Sequence, residues 1–250
     1  TDPAEKDAGR KFLPVPLRRR RSTAVLKLAL ALCAKDLRIV LARSAGLAQA
    51  LLLGLLLVFL FSLSLEAGDR LSPQAAATMF WLASAFCQVL VFNMLYSLEE
   101  ENGSRLGLLT LPVPSQGIWL GKALAGLLLI LAAQLVFLPA TFVFLGQSAG
   151  EEPVPALIGL LLTDVGMAAS GSLLGALSVG RAGRESLLSI VLFPLMIPLL
   201  LAGIQLGATG FNPDPMPDGP QDWIGLAAAF DAVFLAAGLA LFPFVYSGED

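Results

Sequence analysis

Long apolar runs alternate with short polar segments along the whole chain. Four stretches contain no Asp, Glu, Lys or Arg: residues 44–65, 71–98, 123–150 and 186–213. Two more, 153–180 and 223–248, are apolar apart from one acidic residue each. Each stretch is long enough for an α-helix to cross a bilayer, which takes about 20 residues. The pattern predicts six membrane spans at about 44–65, 74–97, 119–146, 154–180, 186–207 and 223–246.

Composition supports a membrane protein rather than a soluble one. The chain has 250 residues, of which 56% are hydrophobic and 14% are charged, whereas a soluble domain has about 25% charged residues. So few charges could not cover the surface of a soluble domain. We therefore predict an all-α fold in which residues 22–250 form a single transmembrane domain. The sequence has no GxxxxGK[ST] phosphate loop, so we do not expect this chain to be an ATP-hydrolysing enzyme.

Candidate metal or redox ligands are scarce. The chain has no histidine, which is the commonest ligand for haem and zinc. Its two cysteines, Cys33 and Cys87, lie far apart and match no metal-binding spacing, so we interpret them as apolar packing residues. We predict no catalytic residue, no metal site and no cofactor bound by this chain.

The charged residues predict the orientation of the spans. Of the 16 basic residues, 15 precede the first span or fall in the loops after spans two and four, and only Arg70 lies on the other side. The positive-inside rule therefore places both termini in the cytoplasm. The opposite face carries acidic residues, including Glu66, Asp69 and Asp222.

The first 43 residues divide into two predicted segments. Residues 1–21 are basic, and we interpret them as a disordered cytoplasmic tail whose run Arg18 to Arg21 anchors topology at lipid headgroups. Residues 24–43 predict an amphipathic helix on the cytoplasmic leaflet. On a helical projection its three cations, Lys27, Lys35 and Arg38, fall within an arc of about 80°.

Small residues and prolines within the spans suggest packing and bending sites. Gly171 and Gly175 form a GxxxG pattern in a run of small residues, which favours close helix packing; two further GxxxG patterns are weaker signals. Pro194 and Pro198 in the fifth span remove backbone donors. They predict simple bending or, alternatively, a hinge or the lining of a cavity.

Two aspartates interrupt the apolar spans. Asp164 and Asp231 fall inside spans four and six, where an acidic side chain costs about 2.5–3.5 kcal/mol and commonly marks a transport path or a polar partner. No Lys or Arg lies within any of the six apolar segments. The acids are therefore expected to be protonated, hydrated or paired with polar neighbours. A substrate path and a shallow structural position in the outer half of the membrane both remain open.

The predicted cytoplasmic loop 98–116 has an unusual composition for a short hairpin. Its acidic start is followed by a leucine-rich stretch that two prolines end. A patch of exposed leucines is unfavourable in water unless a partner or the membrane covers it. Either they dock onto a cytosolic partner or they lie in the membrane interface. The candidate docking residues are Glu99, Glu100, Glu101, Gly103, Ser104, Leu106, Leu108, Leu109, Leu111, Pro112 and Pro114.

Two segments resemble the cytochrome c maturation protein B family, CcmB, also called haem exporter protein B. Asn102-Gly103-Ser104, followed by Leu111-Pro112-Val113-Pro114 and Lys122, resembles the family segment DGSLE...LLPLP...K. The stretch from Leu187 to Leu200 resembles its proline-containing span LLSIL.LP..IPLL. The chain departs from the family at Arg105-Leu106, where a Leu-Glu pair is usual.

The resemblance implies an ABC-2-type permease subunit with six spans in the bacterial inner membrane. It implies partnership with a cytosolic ATPase, CcmA, and with CcmC, CcmD and the haem chaperone CcmE, and allows a homodimer within the complex. ATP hydrolysis by CcmA would drive release of haem-loaded CcmE for cytochrome c maturation. Because the chain lacks histidine, we expect partner subunits to ligate the haem; Met79, Met94, Met167 and Met196 are weak substitutes.

Two other functions fit parts of the sequence. A proton-coupled secondary transporter would use Asp164 and Asp231 as a relay, although no inverted repeat is visible. An ABC-type permease for a lipid or a drug would share the six-span architecture and the docking loop.

Overall fold

Over the residues that the structure describes, the protein is a bundle of seven long α-helices. The computed structural model describes residues 17–43, 45–65, 71–101, 107, 114–150, 153–178, 184–211 and 219–247, and no strand occurs within these ranges. The helices are α1 (Leu17–Ala42), α2 (Ala45–Leu63), α3 (Pro73–Glu101), α4 (Ser115–Phe144), α5 (Pro153–Ser178), α6 (Arg184–Ala208) and α7 (Gln221–Ser247).

Six of these helices, α2 to α7, are long and apolar enough to cross a membrane. The prediction of an all-α membrane protein with six spans is therefore confirmed, with span limits that differ by a few residues. Because successive spans run in opposite directions, alternate connections lie at opposite ends. We call the end with α1 and the connections 102–114 and 179–183 the basic end. The other, with the connections 64–72, 145–152 and 209–220, is the acidic end.

Helix α1 begins earlier than predicted. It starts at Leu17 rather than at residue 24, so residues 17–21, which were expected to belong to a disordered tail, are helical. Arginine is a good helix former, and Pro16 immediately precedes the helix, where proline is well tolerated. Residues 1–16 lie outside the described residues.

The apolar side of α1 packs on α4 rather than resting on lipid alone. Ala29, Cys33 and Val40 are buried, and they lie on the side of α1 opposite the three cations of the projection. Gly121 of α4 lets the two backbones approach, because a Cβ there would be 2.9 Å from the carbonyl oxygen of Ala29. The amphipathic helix is therefore part of the bundle at its basic end.

Helix α5 lies at the centre of the bundle and contacts α3, α4, α6 and α7. Most of its second half is buried. The predicted packing glycines face aromatic rings of α3: a Cβ on Gly171 would overlap the ring of Phe92, and one on Gly175 would lie 2.6 Å from Tyr96 Cε2. The two weaker GxxxG patterns also lie at helix contacts, Gly117 and Gly121 against α1, and Gly203 and Gly207 against Trp81.

Candidate functional site

A cluster of four charged side chains, three of them buried, joins three helices at the basic end. Lys122 Nζ of α4 lies 3.0 Å from Glu99 Oε1 of α3 and 3.6 Å from Asp36 Oδ2 of α1. Lys35 Nζ of α1 lies 2.8 Å from Asp36 Oδ1 and 3.3 Å from the same Glu99 oxygen. We call these four residues the ion cluster. It contains two cations and two anions, so its formal charges balance.

Lys122 is the most enclosed member of the ion cluster. Its side chain is 1% exposed, whereas that of Lys35 is 37% exposed. Its ammonium group donates a hydrogen bond of 2.9 Å to the backbone oxygen of Leu95 and lies 4.5 Å from the centre of the Tyr96 ring. A buried ammonium group is tolerated only when anions and acceptors surround it, and here both are present.

The Lys35 ammonium is held in its charged form by the cluster. Burial lowers its pKa, but hydrogen bonds and charge interactions with Asp36 and Glu99 outweigh burial, so the pKa of Lys35 is raised above its ordinary value. The charge of Lys35 is therefore retained through the physiological pH range. Its share of the cluster's stability would be lost only as the pH rises through that raised pKa.

Hydrogen bonds continue from the ion cluster into the centre of the bundle. Tyr96, which lies under Lys122, donates its hydroxyl hydrogen to the backbone oxygen of Ser172 in α5 at 2.7 Å. The Ser172 hydroxyl donates to the backbone oxygen of Trp119 in α4 at 3.2 Å. A displacement of the end of α3 would therefore also displace its contacts in α1, α4 and α5.

The ion cluster lies at the root of the predicted docking segment 98–116. Glu99, predicted as a docking residue, is buried and contacts Lys35 and Lys122. Pro114 is exposed directly before α4. Glu100 and Glu101 end α3, but their side chains lie outside the described residues, as do Gly103, Ser104, Leu106, Leu108, Leu109, Leu111 and Pro112.

Asp164 lies inside the bundle, near the middle of α5. It is the twelfth of 26 residues in α5 and is fully buried. Its Oδ1 accepts a hydrogen bond of 2.7 Å from Gln134 Nε2 of α4, and the same nitrogen lies 3.3 Å from Ser84 Oγ of α3. Asp164 Oδ2 has no hydrogen-bond partner within the described ranges. The expected polar partner is thus a glutamine.

Asp231 lies on the other side of α5. It is 5% exposed, and its Oδ1 packs against Gly166 without a hydrogen-bond partner in the described part of the chain. Gly166 is two positions after Asp164, which is about 200° around the helix. The two carboxyl groups therefore face opposite sides of α5, and this arrangement does not favour a direct proton relay between them.

Two substitutions of Asp164 should distinguish the contribution of its hydrogen bond to stability from that of its charge. Asp164→Asn keeps an oxygen that accepts from Gln134, so we expect little change in stability. Asp164→Leu leaves the Gln134 amide poorly paired and should cost about 1–3 kcal/mol. Thermal unfolding of the purified chain in detergent measures both variants. Equal losses for the two would show that the hydrogen bond contributes little.

Pro194 and Pro198 are both exposed on the surface of α6 in the part of the chain that the structure describes. Helix α6 is continuous from Arg184 to Ala208 through both prolines. The exposure of both side chains does not favour cavity lining, and bending and a hinge both stay predictions.

Comparisons with known proteins identify the family. The family model described as CcmB protein matches residues 27–247. The chain belongs to the CcmB family. Relatives named heme exporter protein B include those of Rhodobacter capsulatus, 29% identical over 86% of this chain and 94% of that protein, and Pseudomonas aeruginosa, 28% identical over 84% and 95%. The protein of that name from Escherichia coli is 31% identical over 66% of this chain and 75% of that protein.

Two members of the ion cluster, Asp36 and Lys122, were not predicted as site residues, and Lys122 was named only in the family resemblance. Both are buried. A signal was present: Asp36 lies on the apolar side of α1, between Leu32 and Val40. A charge in such a position commonly has a buried partner.

Proposed function

We propose that this chain is the membrane subunit of a haem-exporting complex in the bacterial inner membrane, with both termini in the cytoplasm. The names of its relatives support the haem-related role. The sequence lacks a phosphate loop, so ATP hydrolysis belongs to a separate ATPase of the CcmA type. CcmC, CcmD and the chaperone CcmE complete the set of partners, and release of haem-loaded CcmE is the step that ATP drives.

The observation that carries this proposal is the ion cluster at the root of segment 98–116. The leucines of this segment supply an apolar docking surface for the ATPase, and Glu99 at its start is bound to α1 and α4 through Lys35 and Lys122. When the ATPase displaces segment 98–116, the ion cluster therefore moves α1, α3 and α4 together, and the displacement is not confined to one loop. Tyr96 passes the movement to α5 through its hydrogen bond to Ser172.

Haem ligation is assigned to the partner subunits. The chain has no histidine. Met167 and Met196, two of the candidate substitutes, are fully buried in the bundle, where their sulfur atoms cannot reach a bound haem without repacking. This subunit thus contributes movement and an apolar surface rather than a ligand to iron.

Charge placed in the docking segment should release the ATPase. In Leu108→Asp or Leu111→Asp, a carboxylate would enter an apolar contact, where an unpaired charge is strongly unfavourable. We expect a cytosolic ATPase to copurify with the unaltered chain after gentle solubilisation and to be lost from both variants. Identification of the copurifying proteins by mass spectrometry measures this.

A matched control uses a leucine at the opposite end. Leu65→Asp introduces the same carboxylate after α2, at the acidic end, and should retain the ATPase. A chain that purifies alone, and whose transport is driven by protons and abolished by Asp231→Asn, would contradict the proposal and favour the secondary transporter.

A further inference from the structure

Asp164 of α5 and Gln134 of α4 meet inside the bundle, and each has one oxygen without a partner. Gln134 Nε2 donates a hydrogen bond of 2.7 Å to Asp164 Oδ1. Asp164 Oδ2 and Gln134 Oε1 have no hydrogen-bond partner within the described part of the chain. Asp164 is fully buried and Gln134 is 4% exposed. Buried polar atoms in folded proteins nearly always have a partner, so these two oxygens require a donor.

The hydrogens of the neighbouring side chains are already donated elsewhere. Gln134 Nε2 carries two hydrogens, of which one is donated to Asp164 and the other to Ser84 Oγ of α3 at 3.3 Å. The single hydroxyl hydrogen of Ser84 is donated to the backbone oxygen of Phe80 at 2.9 Å. Neither Gln134 nor Ser84 can therefore supply a hydrogen to the two unpaired oxygens.

No cation is close enough to balance a charge on Asp164. Helix α5 packs against α3, α4, α6 and α7. The titratable side chains that the described parts of these helices bury are Cys87, Tyr96 and Glu99 of α3, Lys122 of α4 and Asp231 of α7. Lys122 belongs to the ion cluster and lies twelve residues before Gln134, which is about 18 Å along α4. An ionised Asp164 would lack a counter-ion, which is strongly unfavourable inside a membrane protein.

We propose that Asp164 is a proton-binding site. A proton on Oδ2 neutralises the carboxyl group and is donated to Gln134 Oε1, while Gln134 Nε2 continues to donate to Oδ1. The two hydrogen bonds close a ring between the acid and the amide, in which both unpaired oxygens gain a partner. The proton comes from water, and no other bond forms or breaks.

The orientation of the Gln134 amide favours a proton over a metal ion. A metal ion beside the carboxylate would bind the amide oxygen and repel the NH2 group. In the structure, however, the NH2 group contacts the carboxylate. In addition, the described residues contain no group of three or more His, Cys, Asp or Glu side chains that could hold a metal ion.

Proton binding at Asp164 strengthens the contact between α4 and α5. Without the proton, the carboxylate Oδ2 would face the amide oxygen of Gln134, and repulsion would replace one of the two hydrogen bonds. Because Asp164 is fully buried, its proton exchanges with water only when the two helices separate. The site therefore couples separation of α4 from α5 to proton release. The inference goes beyond the proposed function, since it requires neither haem nor an ATPase.

Infrared spectroscopy of the purified chain, in a detergent without carbonyl groups, tests the proposal. A protonated carboxyl group has a C=O stretching band above the amide bands, whereas exposed acidic residues are ionised in slightly alkaline buffer and lack it. We expect this band in the unaltered chain, a weaker band or none in Asp164→Asn, and the Asp164 band retained in Asp231→Asn. A spectrum without the band in the unaltered chain, or with an equally strong band in Asp164→Asn, would overturn the proposal.

Substitution of the amide tests whether the proton is shared with Gln134. Gln134→Leu removes both hydrogen bonds to the carboxyl group, so the C=O band of Asp164 should shift to higher frequency. Ala132→Leu, on the exposed side of α4, is the matched control and should leave the frequency unchanged. The same frequency in Gln134→Leu and in the unaltered chain would refute the acid–amide pair.

Transfer into D2O tests the coupling to helix separation. Replacement of the Asp164 proton by deuterium lowers the frequency of the band. We expect this shift to develop slowly, together with exchange of the buried backbone amides of α4 and α5. An immediate shift would show that water reaches Asp164 in the packed bundle and would contradict the coupling.

Discussion

Lys122→Met should destabilise the bundle by about 3 kcal/mol. The substitution keeps an apolar side chain of similar length but removes the ammonium group that lies 3.0 Å from Glu99 and 3.6 Å from Asp36. Both carboxylates are 6% exposed and would remain buried. Removing one partner of a buried ion pair costs about 3–5 kcal/mol of stability. We expect the lower value of this range here, because Lys35 still contacts both anions.

Denaturant titration of the purified chain in detergent measures this loss. Lys27→Met removes a cation from the exposed side of α1 and should have almost no effect. Adding Asp36→Asn and Glu99→Gln to Lys122→Met removes the stranded charges and should restore much of the stability. If Lys122→Met alone were as stable as the unaltered chain, the ion cluster could not hold the three helices together.

Gly175→Leu should reduce the stability of the bundle at least as much as Lys122→Met does. A Cβ at this position would already lie 2.6 Å from the Tyr96 ring, so a leucine forces Tyr96 away from α5. That displacement breaks the hydrogen bond of 2.7 Å from the Tyr96 hydroxyl to Ser172 and withdraws the ring from Lys122. Overpacking together with a lost buried hydrogen bond should cost about 3 kcal/mol or more.

The same substitution at an exposed glycine provides the comparison. A Cβ on Gly225 in α7 would meet no atom within 4 Å, so Gly225→Leu should be neutral or slightly stabilising through its better helix propensity. Yield and the midpoint of thermal unfolding of the two variants can be compared directly. Similar behaviour of the two would mean that α3 and α5 are not in close contact at Gly175.

The spans could be predicted from the sequence because lipid imposes a simple rule. Backbone groups must be paired within the helix and side chains must be apolar, so charge-free runs mark the spans. The start of α1 could not be predicted in this way, since the run Arg18 to Arg21 fits a solvated tail equally well. Helix packing was predicted at Gly171 and Gly175, but their partners, Phe92 and Tyr96, depend on tertiary structure.

The ion cluster shows why the candidate site was only partly predictable. The acidic start of segment 98–116 suggested a docking surface, but Glu99 faces Lys35, which is 64 residues away in the chain. No local spacing brings α1, α3 and α4 together. Similarly, Asp164 was recognised as an intramembrane acid, whereas its pairing with Gln134 depends on the packing of α4 against α5.

Segment 98–116 is proposed to dock a cytosolic ATPase and to transmit its movement through the ion cluster. Photo-crosslinking in intact cells tests this role most directly, with a photoreactive amino acid at Leu108 and, as the control, at Leu65. We predict that the Leu108 site forms a covalent product with a cytosolic ATPase and that the Leu65 site does not. Absence of that product, or a product with a protein from the opposite side of the membrane, would contradict the proposed role.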